Sequence, residues 1–504
     1  MSHSARRAEN PSLASYLAET LSTEELSHIG LISFNQWSFA LGAVIETALE
    51  ARALGSEVTV ALWANETPLL DTGWTANPTI ARLLGSASRD TNARKALLAA
   101  GLSKSCFASP PIKHWKPLED LAFPEPPTRA AIRELAYRGS GMGRSILQVH
   151  PDDNTPIRDD YVWPRAYVAE AIRSYAWAFD QAVELIRGRG ITTVVVYNGR
   201  FTHDRAVAAA ATYCGARVLY YDTGGYETDF DLTVATTHDW AHLQLRMREM
   251  YDTWGSDRDD IGAKWFLDRQ SHADANNAIF VANQEVGHLE GVPEAERLVV
   301  FFSSSGDEIA ELEIDWSAYL NSQEEALARL ALECRQLPGT KLVVRTHPHM
   351  GLKPKDDLAR WMTAVEAAGP DVHFDPFSKI DSYALMRAAD VVFTYGSTSG
   401  VESSFIGRPV VVMGPSAYDT LGCARRITSA DQIKNSIENP PAPNSRAAIP
   451  YGLMMQRRGF RFAHMCSLGS GEAALGDVQL TEANELVRKI SDAQKQRQRR
   501  KLTS

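Results

Sequence analysis

Chemistry is most concentrated in Tyr395-Gly396-Ser397-Thr398-Ser399-Gly400-Val401-Glu402, where three consecutive hydroxyl side chains lie between two glycines and a carboxylate follows. Small residues let a ligand approach the main chain, and the N–H groups that open a helix suit an anion. Ser397, Thr398 and Ser399 are therefore candidates for phosphate oxygens, and Glu402, one helical turn on, for the hydroxyls of a ribose. A structural account competes, because Ser399 and Glu402 have the spacing of a capping box. A cap alone would not call for Gly396 and Gly400, which favours the ligand.

The second cluster is Arg345-Thr346-His347-Pro348-His349. A histidine after a buried strand, stiffened by the proline behind it, can donate to a phosphate or move a proton. Arg345, at the strand end, could serve a diphosphate or an ion pair. Ser303-Ser304-Ser305-Gly306-Asp307-Glu308 is a Gly/Ser turn that could cradle donor phosphates through Ser303 and Ser304, although Asp307 and Glu308 are also ordinary first-turn helix acids. In the first half, Asn198-Gly199-Arg200 and Asp222-Thr223-Gly224-Gly225 are acceptor-side candidates. Arg200 could meet an anionic acceptor or leaving group, and Asp222 or Glu227 could take a proton. Asn-Gly is equally a routine turn, and Arg200 a routine surface charge.

The elements needed to position these residues are legible. His28 to Phe34 reads as a strand, Ala40 to Leu54 as a helix and Glu57 to Trp63 as a second strand, the opening of a parallel sheet with a right-handed crossover. Trp163 to Arg187 reads as a long helix, with strands at Ile191 to Tyr197 and Ala216 to Tyr221. A second alternation begins at Arg297 to Phe302 and runs through a helix at Gln323 to Leu337 and a strand at Lys341 to Arg345. It closes on the strand–turn–helix–strand between Ala389 and Gly414. Strand after strand, the polar candidates fall just past the carboxyl end, where open α/β sheets bind ligands. The reading is thus α/β, with two Rossmann-type domains facing each other across a cleft. The N-terminal acceptor domain spans 1–290 with a helical insertion near 65–164, the donor domain spans 291–445, and a helical segment spans 446–504. Helices near Asp239 to Trp254 and Ala273 to His288 read as a bridge, and a final helix runs from Thr481 to about Gln498.

Composition narrows the function classes. A net charge of −10, with 44% hydrophobic and 23% charged residues, describes a soluble globular chain without the basic face that nucleic acid requires. Basic residues cluster only at Arg488, Lys489, Lys495, Arg497, Arg499, Arg500 and Lys501, a solvated tail or a weak peripheral membrane contact. Five scattered cysteines fit reduced thiols. With neither an apolar leader nor a spanning run, a cytoplasmic protein is expected. There is no HExxH, no zinc-like Cys/His spacing, no GxxxxGK[ST] and no strict GxGxxG after a strand, so no bound metal or other cofactor is expected. Gly396-Ser397-Thr398-Ser399-Gly400 has threonine where a nucleophile elbow needs serine.

The order of these motifs is more specific than any one alone. Arg-Thr-His-Pro-His, then Tyr-Gly-Ser-Thr-Ser-Gly-Val-Glu, then Gly407-Arg408-Pro409-Val410 resembles the C-terminal domain of bacterial capsule polysaccharide biosynthesis proteins. These are GT-B-type transferases akin to polysialyltransferases, Kdo transferases and CDP-glycerol glycerophosphotransferases. The turns at Asn198–Arg200 and Ser303–Glu308 are similar to features of the same group, and the overlap covers about Ile191 to Gly414. The resemblance implies a two-Rossmann fold, His347 on the donor phosphates, phosphate contacts from Ser397, Thr398 and Ser399, Glu402 on the ribose, and metal-independent transfer. The turn at Asp222 departs from the glutamate version of that group, and 65–164 matches nothing in it. A transferase moving a sugar from a nucleotide donor to a glycan or lipid-linked acceptor is the resulting expectation. A nucleotide-sugar 2-epimerase, a polyol-phosphate transferase or a non-catalytic binding protein on the same fold are the alternatives.

Overall fold

The computed structural model describes residues 12–35, 37–64, 86–148, 155–226, 228–273, 281–305, 311–313, 320–469 and 472–480. The chain forms two compact units, one of 10–237 with 458–504 and one built chiefly of 238–457.

The first unit is organised on a six-stranded sheet. Its strands are His28–Ser33 (β1), Glu57–Leu62 (β2), Thr193–Tyr197 (β3), Arg217–Thr223 (β4), Asp229–Thr233 (β5) and, from the end of the chain, Phe460–Arg461 (β12). The spatial order is β12-β5-β4-β3-β1-β2. β2, β1, β3 and β4 are parallel, whereas β5 and β12 each run antiparallel to their neighbour. Parallel strands are buried on both faces, which is why they read as unbroken apolar runs. Val194 and Val196 enter one core, and Val195 between them enters the other. Helices Ser38–Ala53 (α1) and Thr202–Tyr213 (α2) follow β1 and β3, the pair between which the strand order reverses.

The second sheet is parallel throughout. Its strands are Arg297–Phe302 (β6), Thr340–Arg345 (β7), Val372–Phe374 (β8), Val391–Thr394 (β9), Val410–Val412 (β10) and Arg425–Arg426 (β11), in the order β8-β7-β6-β9-β10-β11. That is the Rossmann order, with its reversal between β6 and β9. Val299 and Phe301 face one core, and Leu298, Val300 and Phe302 the other. Around this sheet lie Trp240–Thr253 (α3), Arg258–Gln270 (α4), Ser399–Phe405 (α5) and Ile449–Arg457 (α6), with α3 and α4 packed on α6.

Several expectations are altered. Residues 238–273, read as part of a first domain ending at 290, pack within the second unit, and the chain passes between units at 237/238 and 457/458. α4 lies where the sequence reading named no element, and β4 leads into a hairpin with β5. The segment 446–504 is not helical throughout. After α6 it returns to the first unit as β12 and a small sheet of Met465–Gly469, Glu472–Leu475 and Val478–Gln479. Its anchor is Glu46, buried in the middle of α1. The carboxylate accepts from the N–H groups of His464 and Met465 at 2.6 and 2.7 Å and meets His464 Nδ1 at 2.8 Å. The expected helix from Thr481 lies outside the described residues, as do 65–85 and 149–154 of the insertion. The described part of 86–148 holds the helix Ser86–Ala99, three short helical turns (Lys104–Cys106, Arg129–Arg133 and Gly143–Leu147) and a small hairpin at Ala136–Gly141.

Candidate active site

In the second unit the loops after β6, β7 and β9 meet at the reversal of strand order. Serines tie them together. Ser303 accepts through Oγ from the His347 N–H at 2.9 Å and donates its own N–H to the Arg345 carbonyl at 3.1 Å. Ser304 Oγ donates to the Tyr395 carbonyl at 2.6 Å, and its N–H reaches Gln323 Oε1 at 3.1 Å. Ser303 and Ser304 therefore clip the histidine loop to the Gly/Ser loop. Gly306, Asp307 and Glu308 lie outside the described residues.

His347 opens a 3-10 turn over Pro348–Leu352, and its Nδ1 accepts from the His349 N–H at 3.2 Å. Accepting there places the proton of the neutral ring on Nε2, the atom that would donate to a phosphate. Thr346 Oγ1 accepts from Trp361 Nε1 at 2.8 Å and shares a hydrogen bond with His373 Nε2, also at 2.8 Å. Arg345 is 1% exposed and donates through Nη1 to the carbonyls of Thr346 and Asp375. Burial pulls its guanidinium down to about 10, against the pull of Asp375.

The Gly/Ser loop is fixed from beneath. Ser397 donates its N–H to Thr394 Oγ1 at 3.0 Å, its Oγ lies 3.2 Å from Ser399 Oγ, and its carbonyl receives the Tyr418 hydroxyl at 2.6 Å. Thr398 is exposed at the head of α5 and caps it without a side-chain bond. Packing accounts for the glycines. Gly396 has φ +89°, and a β-carbon on it would lie 2.0 Å from the Pro415 oxygen. One on Gly400 would lie 2.1 Å from the Tyr418 hydroxyl. These glycines therefore do not argue for a ligand as the sequence suggested. α5 has only seven residues, so its dipole is a minor attraction.

The capping box does not form. Glu402, 4% exposed, turns to α4, where Arg269 Nε donates to its Oε1 at 2.7 Å. No local sequence signal marks this pair, since the partners are 133 residues apart.

In the first unit the structure brings Asn198, Arg200 and Asp222 together. Asn198, at φ +48°, donates through Nδ2 to Asp222 Oδ2 and accepts at Oδ1 from Arg200 Nε at 3.1 Å. Asp222 Oδ1 accepts from the Thr223 N–H at 2.7 Å. Gly224 and Gly225 serve the hairpin: Gly224 bonds the Asp229 carbonyl and Gly225 the Arg458 carbonyl, each at 2.9 Å. Glu227 lies outside the described residues. An aromatic wall stands beside these residues. Tyr197 stacks on Phe201 with ring centres 6.0 Å apart, and Trp37 meets Tyr197 edge-on.

Two Asp-x-Asp spacings occur, Asp229/Asp231 on β5 and Asp257/Asp259 at the start of α4. Among the described residues no three His, Cys, Asp or Glu side chains gather as a metal site requires, and no helix is long and apolar enough to cross a membrane. The basic cluster from Arg488 to Lys501 lies outside them.

Residues 312–455 match the family model described as capsule polysaccharide biosynthesis protein. The resemblance read from the motif order holds over that segment, which takes in Arg345, His347, Ser397–Ser399 and Glu402 and stops short of Ser303 and the whole first unit. Among solved structures, the beta Kdo 2,4 transferase of Thermosulfurimonas dismutans KpsC is similar at 12% identity and a TM-score of 0.36, over 60% of this chain and 88% of that one. The UDP-GlcNAc 2-epimerase of Neisseria meningitidis bound to UDP-GlcNAc is similar at 9% identity and a TM-score of 0.26, over 88% and 97%. The spinosyn rhamnosyltransferase SpnG is similar at 13% and 0.24, over 87% and 98%. No curated protein matches. The fold class is α/β with two Rossmann-type units.

Proposed function

We propose that the chain is a glycosyltransferase that moves a sugar from a nucleotide-activated donor to a glycan or lipid-linked acceptor in surface polysaccharide synthesis. The observation that carries the reading is the convergence of three loops at the strand-order reversal of the second unit. The segment matching the capsule polysaccharide family supplies two of them, the His347 loop and the Ser397–Ser399 loop, together with buried Glu402. His347 Nε2 and the hydroxyls of Thr398 and Ser399 take the phosphates, and Glu402 takes the ribose. Ser303 and Ser304 act by holding the loops, and Arg345 by supporting the strand end from beneath.

In the reaction an acceptor hydroxyl attacks the anomeric carbon, the bond from that carbon to the phosphate oxygen breaks, and the nucleotide leaves with the bonding pair. The acceptor proton needs a base, for which the sequence offers Asp222, held by Asn198, which in turn accepts from Arg200. Catalysis is then a matter of position and of hydrogen-bond donors aimed at the leaving phosphate. Those donors are imidazole, hydroxyl and N–H groups, which favours transfer without a metal.

The test is a panel of nucleotide sugars with and without acceptor glycans, run with and without chelator. The wild type is expected to release nucleotide only with acceptor and to be indifferent to chelator. His347→Ala and Glu402→Ala are expected to abolish transfer with the circular dichroism spectrum preserved. Wild-type turnover in either variant overturns the site. Epimerised donor without acceptor would show the 2-epimerase chemistry instead, and absence of turnover with bound nucleotide a binding protein.

A further inference from the structure

Arg269 has no part in the motifs read from sequence, yet it makes the most buried ion pair of the candidate site. It stands in the last turn of α4, its side chain 13% exposed against 5% for that of Glu402. Nε donates to Oε1 of Glu402 at 2.7 Å, and the Tyr383 side chain also hydrogen-bonds this carboxylate. The guanidinium carbon lies 4.6 Å from the Trp265 ring centre, over its face. Trp265 meets Tyr451 of α6 edge-on at 5.4 Å, and Phe266 stacks on Phe405, the last residue of α5, at 4.3 Å. Gly262 lets α6 approach, because a β-carbon there would lie 2.6 Å from the Ile449 oxygen. Arg269 is thus held by aromatic rings on a helix pinned both to α6 and to the helix that carries Glu402.

A buried ion pair contributes little net stability compared with apolar packing of the same volume, so its use lies in fixing geometry. Guanidinium stacked on indole is stiff and cannot be replaced by an ammonium without loss of direction. We infer that Arg269 is a positioning residue for ribose recognition, fixing the direction in which the Glu402 carboxylate meets the sugar hydroxyls of the nucleotide. This rests on the proposed donor site, and it adds what that site selects: a ribonucleotide over its 2′-deoxy counterpart.

The experiment measures Kd for CMP, CDP, UDP and GDP, then for the 2′-deoxy form of the tightest binder, in wild type, Arg269→Met, Arg269→Lys and Glu402→Gln. Wild type is expected to prefer the ribonucleotide about tenfold, the loss of one hydrogen bond made by a charged group. In Arg269→Met that ratio is expected to fall towards one, as in Glu402→Gln, while the 2′-deoxy affinity changes less than about threefold. Arg269→Lys, which keeps the charge but not the direction, is expected to lose most of the ratio at a melting temperature near wild type, and it decides the matter if Arg269→Met fails to fold. A wild-type ratio in both variants, or equal losses for both nucleotides, overturns the inference and leaves Arg269 a packing residue. Binding by wild type without discrimination overturns the ribose contact alone. Binding of none of the four nucleotides overturns the donor site as well.

Discussion

Gly400 shows how a residue type can be read correctly and for the wrong reason. A small residue is required there, but the neighbour that requires it is Tyr418, whose hydroxyl supports Ser397. Gly400→Ala is expected to cost about 1–3 kcal/mol, the usual range for overpacking a rigid core, measured as a lower urea midpoint at unchanged slope. His373 gives a pH signature beside it. Burial pushes its imidazole below the usual value, with the Arg345 charge adding to the shift and Asp375 pulling the other way. In the unfolded chain the ring protonates near about 6.5, so below that pH the unfolded state binds more protons. Stability is expected to be flat above neutrality and to fall as the pH drops through 6 towards 5, with His28, also depressed chiefly by burial, adding to the slope. Melting temperature against pH measures it, and His373→Gln is expected to flatten the curve.

At the scale of elements, the parallel strands were plain because burial on both faces leaves runs such as Leu298 to Phe302 without polar interruption. The candidate site was plain for a related reason: the polar residues that follow such strands emerge together at one sheet edge. Residues 229–233, Asp-Phe-Asp-Leu-Thr, carry no such run, so the hairpin of β4 and β5 was hidden. β12 has only two residues, paired with a strand more than two hundred positions earlier. Arg269 was hidden similarly, since an ion pair between distant helices leaves no spacing to find. Glu46 is the element-scale case that can be tested. A carboxylate inside an apolar helix looks misplaced until its three bonds to His464 and Met465 are seen. Glu46→Ala leaves those N–H groups without an acceptor and is expected to cost about 1–3 kcal/mol or more. Hydrogen exchange is expected to rise first at 460–475 and not in the second sheet.

For the whole molecule, the two units differ in how they use the chain. The described residues of the second unit come from one continuous stretch, 238–457, whereas the first unit needs both 10–237 and the return after 457. A fragment of 238–457 is therefore expected to fold alone, melt cooperatively and be stabilised by the nucleotide that stabilises the full chain. A fragment ending at 237 is expected to stay partly unfolded, because β5 would be an open edge and Glu46 a buried carboxylate without its donors. Cooperative melting of the second fragment would show that the return is an addition and not a completion.

The late arrival of β12 also bears on how the protein is made. A ribosome releases residues in order, and domains generally fold as they emerge, the N-terminal one first. Here that order is inverted. The first sheet waits with an open edge while more than two hundred further residues are translated, and the second unit can finish before the first receives its last strand. The nascent chain thus spends most of its elongation with one sheet incomplete, the interval in which a chaperone would have something to hold.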